Sequence, residues 1–170
     1  MCSVCRDKCV LLCAIEHYLV MPRERLEKLH QLSGAHGVET IERLQKRGEW
    51  LIDILQKEKP YLKFTMGFHV IPSMLQIHLH VISLDFHSKH NRWPPHYNSF
   101  TTAFFIHPND LITTLNERGH FWLSVPELQW YREQKKAPLQ CNQCVFLAQN
   151  MKGLKLHLED HVRAMMAPEQ

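Results

Sequence analysis

Between Gln76 and Ile82 polar and apolar residues alternate, with Gln76, His78 and His80 in one set of positions and Ile77, Leu79 and Val81 in the other. Side chains on a strand point to opposite faces in turn. The alternation therefore predicts a half-buried strand, with polar residues about 7 Å apart on the outward face. Residues 14–21 predict an earlier strand closed by Pro22, which cannot donate to a ladder. Leu26, Leu29 and Leu32 mark a short helical stripe that Ser33-Gly34 terminates. Over residues 38–57, Ile41, Leu44, Leu51, Ile52 and Leu55 recur at helical spacing between charges, an amphipathic helix laid on a sheet. Pro60 ends it, residues 61–69 alternate as another strand, and Pro72-Ser73 turns the chain into the central one. Residues 87–97 are too polar and proline-rich for a core and predict a loop. Residues 108–118 predict a short helix closed by Gly119, and residues 126–138 a basic linker with Arg132, Lys135 and Lys136. This order of elements belongs to the α+β class, an antiparallel sheet with helices packed on it.

Composition narrows this without redirecting it. With 170 residues there is room for one core domain and a small appendage, and 45% apolar with 22% charged residues excludes wholesale disorder. A net charge of +3 is too small to argue for nucleic acid by itself. The apolar run at residues 9–15 is far too short to span a bilayer and is followed by Glu16 with no cleavage site, so an intracellular, soluble protein without membrane contact is expected. In a reducing compartment the 6 cysteines are thiols or metal ligands. Cys2, Cys5, Cys9 and Cys13 have ligand-like spacing, but no histidine or turn glycine accompanies them. Residues 1–15 read better as an irregular leader, with Val10-Leu11-Leu12 adding part of an edge strand.

Near the end, Cys141-x2-Cys144-x12-His157-x3-His161 is the strongest motif on spacing alone. Two thiolates on a turn and two imidazoles one helical turn apart give a closed tetrahedral site for one structural zinc ion. The positions that normally read bases fall near Asn150, Gly153 and Leu156, a poor set for that task, so the finger should grip backbone through Lys152, Lys155 and Arg163.

The string Gly67-Phe68-His69-Val70-Ile71-Pro72-Ser73-Met74, the central strand after it, Ser83-Leu84-Asp85-Phe86, and His17-Tyr18-Leu19-Val20-Met21-Pro22 upstream resemble the histidine-triad nucleotide hydrolase and transferase superfamily. With His96-Tyr97-Asn98-Ser99-Phe100 and the terminal finger, the chain resembles the DNA-repair branch of that superfamily in particular. Gln76 departs from the signature by occupying its first histidine position. Cys13 replaces a basic residue that family members place before the equivalent of His17, and the start reads as truncated or substituted.

The resemblance implies a histidine-triad domain at residues 16–126 after an atypical leader at 1–15, a linker at 127–138, the zinc finger at 139–164 and a tail at 165–170. It implies removal of AMP from the 5′-phosphate of an abortively ligated DNA break through a covalent nucleotidyl-histidine. His78 would attack phosphorus, His69 would act as donor or general acid at the leaving phosphate, and His80 and Ser73 would hold phosphate oxygens. Gln76 would bond phosphate, and His17 would brace or touch it. No catalytic metal is needed. Lys89, Arg92 and Trp93, cations beside a stacking ring, join Lys152 and Lys155 as the expected contacts to damaged DNA, largely independent of its sequence. A nucleus-located monomer, recruited by repair scaffold proteins, fits that role. Two other readings stay open: an end-binding zinc-finger module with an impaired Gln76-bearing pocket, and a general small-nucleotide hydrolase. If finger and domain divide the work, chelation should reduce DNA affinity more than cleavage of a small adenylate.

Overall fold

The computed structural model describes the backbone of residues 2–6 and all of residues 13–167. Five strands form one antiparallel sheet: β1 (Cys2–Arg6), β2 (His17–Pro22), β3 (Phe64–His69), β4 (Leu79–Ser83) and β5 (Phe105–Ile106), in the order β1-β2-β4-β3-β5. Part of the expected leader is therefore the edge strand, β1, although Val10-Leu11-Leu12 lie outside the described residues. None of the helices described is long and apolar enough to cross a membrane.

Helix α1 (Gly34–Glu58) lies on one face of the sheet with α3 (Pro108–Arg118). Val20, Leu79, Val81, Met66 and Phe68 meet Ile41, Leu44, Leu51, Leu55, Leu111 and Leu115 there in one core. The helical stripe is instead a short 3₁₀ turn, Leu29–Gln31, in which residues three apart eclipse, so Leu29 and Leu32 are both buried. Ser33-Gly34 begins α1 and does not close what precedes it. Ser33 is the extended N-cap, and Gly34, at φ 53°, donates its N–H to the Gly119 carbonyl at the end of α3. Gly119 ends α3 in the left-handed conformation, φ 74°.

The opposite face was expected to be solvated. It is covered by α2 (Pro94–Thr101), which starts inside the expected loop because Pro94 and Pro95 can occupy a first helical turn. The expected linker is mostly helix, α4 (Val125–Gln134), opened by a capping box. Glu127 N–H donates to Ser124 Oγ, and the Glu127 carboxylate accepts from the Ser124 N–H and hydroxyl. The finger follows as β6 (Leu139–Gln140), β7 (Leu147–Ala148) and α5 (Met151–Met166). Its Leu139, Met151, Leu154 and Leu158 join Ile82, Phe86, Tyr97 and Phe100 in a second core. Polar ties fix the same seam. Tyr97 donates its hydroxyl to the Gln140 carbonyl at 3.0 Å and accepts from Asn142 N–H at 2.9 Å, while Asn142 Nδ2 donates to the Leu84 carbonyl at 2.8 Å.

Candidate active site

Register places the site on the second face. Leu19 pairs with His80 and His80 with Gly67, while His69 pairs with Phe105 at the edge. The predicted strand starts later than its sequence pattern: Gln76 lies in a bend, Ile77 and His78 belong to no regular element, and β4 itself runs from Leu79. His78 and His80 keep their common side but are 6% and 5% exposed, against the expectation of an open polar face. The cause is a roof of rings. Phe100 on α2 sits with centroids 4.5 Å from His69, 5.2 Å from His80 and 5.3 Å from His17. Phe105 closes in over Gly67, where any Cβ would lie 2.7 Å from its ring and 2.8 Å from the Ile106 carbonyl oxygen. Glycine is needed there for the close approach.

Beneath that roof the histidines form a connected set. Ring centroids of His78 and His80 are 4.7 Å apart, His69 and His80 4.5 Å, and His17 and His80 5.1 Å. His17 Nε2 and His80 Nδ1 share one hydrogen bond of 2.8 Å. His78 Nδ1 lies 2.7 Å from the Gln76 carbonyl oxygen. An oxygen there can only accept, so Nδ1 carries the proton, and in the neutral form of the ring the lone pair lies on Nε2. Burial, ahead of the charges of His78 and His17, pushes His69 down to about 3. Burial likewise lowers His80, ahead of His69 and His17. Both shifts favour the neutral rings near pH 7, in which His69 can donate or accept a hydrogen bond. Its Nε2 and that of His80 are buried with no hydrogen-bond partner among the described residues.

Gln76 is not part of this set. Its amide donates to the Glu24 carbonyl at 2.9 Å and the Pro22 carbonyl at 3.3 Å, tying the approach to β4 onto the end of β2. Ser73 is exposed in the preceding turn. A narrow throat bounded by Leu29, His69, Pro72 and His78 opens beside a larger cavity of about 410 Å³, which shares Leu29 and Pro72 and is walled by Ile71, Leu75, Phe121 and Trp122. Sequence reasoning missed this wall; it singled out Cys13 but not its contact, buried with Sγ 3.1 Å from His96 Nε2. Only Gly67, a glycine inside a strand pattern, carried a signal that could have marked the close approach.

The expected DNA-contacting residues gather on one surface. Arg92 is exposed and held by its Nε–H to the Lys89 carbonyl at 2.9 Å, and Trp93 caps α2 at 68% exposure. His87 reaches Glu159 on α5 at 3.5 Å, which lays this loop against the finger helix. Burial first and then the Arg92 charge lower the pKa of Lys155, so these two cations are neighbours; Lys152 is exposed on the preceding turn of α5. In the finger, Cys141, Cys144, His157 and His161 put their ligand atoms within 4.8 Å of one another. Cys144 Sγ and His157 Nε2 are 3.1 Å apart, as are the two Nε2 atoms. Such spacing fits four ligands around one tetrahedral zinc, and Phe146 stacks on His157 at 4.0 Å to fix that ring.

A face of clustered histidines joined to a Cys2His2 finger defines a histidine-triad-type domain carrying a zinc-binding module. Residues 5–93 match the family described as scavenger mRNA decapping enzyme C-term binding, and the chain belongs to that family. Residues 101–164 match the C2HE / C2H2 / C2HC zinc-binding finger. Its relatives include aprataxins: it is 34% identical over 146 residues to aprataxin of Danio rerio, covering 86% of this chain and 43% of that protein. It is 33% identical over 145 residues to aprataxin of Gallus gallus, covering 85% and 44%. The chain thus spans less than half the length of these relatives. The fold is shared with the crystal structure of an aprataxin ortholog in complex with DNA, at a TM-score of 0.73 and 22% identity over 96% of this chain and 84% of that one.

Proposed function

We propose that this chain removes AMP from adenylated 5′ ends of DNA. The observation that carries the reading is His78, its Nδ1 proton spent on the Gln76 carbonyl and its Nε2 lone pair beside two neutral histidines. Nε2 attacks the adenylate phosphorus, an N–P bond forms, and the bridging oxygen leaves with its electron pair on the DNA 5′-phosphate. A phosphate leaving group has its second pKa near about 6, so it departs without needing a proton, which suits a His69 held neutral. Water then cleaves the N–P bond, releasing AMP and restoring neutral His78. If His17 donates to His80 Nδ1, the His80 proton sits on Nε2 and donates to a phosphate oxygen. The nucleoside fits the adjoining 410 Å³ cavity.

The surface carrying Lys89, Arg92, Trp93, Lys152 and Lys155 suits DNA backbone and an unstacked base. That substrate agrees with the DNA-bound structure of the aprataxin ortholog and with a nuclear place of work. Zinc held by Cys141, Cys144, His157 and His161 supplies cross-linking of the finger and no chemistry at phosphorus.

The test is AMP release from 5′-adenylated nicked DNA. The native chain should turn over, and His78→Ala should lose at least about 10³-fold, since the covalent step has no substitute. Tight binding of that DNA without AMP release would establish instead an end-binding module, a reading that the diverted Gln76 side chain favours.

A further inference from the structure

Lys135 belongs to no part of the chemistry above, yet its ammonium lies over Phe104, a ring that neighbours His69. It is the C-cap of α4, and its backbone carbonyl accepts from Asn98 Nδ2 on α2 at 3.2 Å. Asn98 is 1% exposed and also donates to the Ala137 carbonyl at 2.7 Å, so the end of α4 is fastened to α2 by a buried amide. From that anchor the ammonium lies 5.1 Å from the centre of the Phe104 ring, and Phe104 is 5.4 Å from the His69 ring. His69 is the family position nearest the leaving group, and its Nε2 has no partner among the described residues.

The attack on phosphorus leaves a dianionic phosphate on DNA. His69 and His80 are both neutral, so neither supplies a positive charge to meet it. From the placement of its ammonium over Phe104, the ring that neighbours His69, we propose that Lys135 is a catalytic residue that binds the departing 5′-phosphate. The Lys135 charge reaches this site, since it contributes, after burial and the neighbouring rings, to holding His69 low, and after burial to holding His96 low. A phosphate arriving at His69 brings the counter-charge that Lys135 lacks there. The ammonium itself lies over the Phe104 ring, which holds it for a phosphate oxygen, the use of a fixed cation at developing charge.

This inference rests on the DNA-adenylate reading, and the test separates the two. AMP release is measured for the native chain, Lys135→Met and Lys135→Arg on 5′-adenylated nicked DNA and on the p-nitrophenyl ester of AMP, whose leaving group carries no phosphate. Lys135→Met should lower kcat/KM on the DNA substrate by about 10- to 100-fold, as expected for losing a charge-assisted hydrogen bond. It should change the ester less than about 3-fold, and Lys135→Arg should retain most of the DNA activity. Equal losses on both substrates, or none on DNA, would overturn the assignment. If the native chain releases no AMP at all, the hydrolase reading fails by itself, and binding decides on Lys135. The methionine variant should then bind nicked DNA with a 5′-phosphate about tenfold more weakly, with unchanged affinity for the 5′-hydroxyl form. Equal affinity for the phosphorylated DNA would overturn it there too.

Discussion

His69 and His80 are imidazoles that the fold keeps from titrating. Their rings were legible in the sequence as candidates because four histidines fell at positions that share one side of a sheet. Their protonation was not, because it depends on Phe100 and Phe105, which come from a helix and an edge strand later in the chain. The consequence has a definite sign. The folded pKa of each lies below the ordinary value near 6.5, so the unfolded chain takes up protons that the folded one refuses. For His69, stability is therefore full above about pH 6.5 and is lost as pH falls toward about 3, at up to about 1.4 kcal/mol per pH unit, and His80 acts in the same direction. Urea unfolding at pH 7.5 and pH 5 should show this loss, and His69→Gln should make the dependence shallower. An unaltered slope in that variant would place the proton uptake elsewhere.

Element α4 shows why a sequence pattern can miss a helix. Residues 125–134 carry no apolar stripe and bury no side chain, so nothing in their periodicity distinguishes them from a basic linker. What holds them helical is local: Pro126 in the first turn and the reciprocal bonds of Ser124 and Glu127. Those bonds also hold the exposed Glu127 carboxyl at about 2. Removing the cap by Ser124→Ala should cost about 1 kcal/mol of local helix stability, within the range for lost N-caps. Hydrogen exchange should then speed up over residues 125–134 while α1 stays protected. Unchanged exchange in α4 would mean that the fastening of Asn98 to its far end suffices. Residues 29–34 were misread for a related reason: a 3₁₀ turn and a capped helix start produce the same apolar spacing as one short helix with a glycine stop.

For the whole molecule, the finger and the sheet are one structure. Leu139, Met151, Leu154 and Leu158 lie in the same core as Ile82, Phe86 and Phe100, and Phe100 is the roof of the histidine site. This removes the basis for expecting a clean division of labour between DNA grip and catalysis. Chelating zinc should lower the unfolding temperature of the entire chain in a single transition, and should reduce turnover of a small adenylate along with DNA affinity. Two transitions, with the larger one unmoved, would restore the view of an independent finger. The sequence by itself determined the α+β class, the Cys2His2 cluster and the identity of the central histidines, because each is written in spacing within a short stretch. The tertiary structure alone decided that the histidine face is roofed and buried, that Gln76 turns away to the end of β2, and that Lys135 lies over Phe104, the ring beside His69. Those outcomes depend on residues far apart in the chain being packed together, and no local period records them.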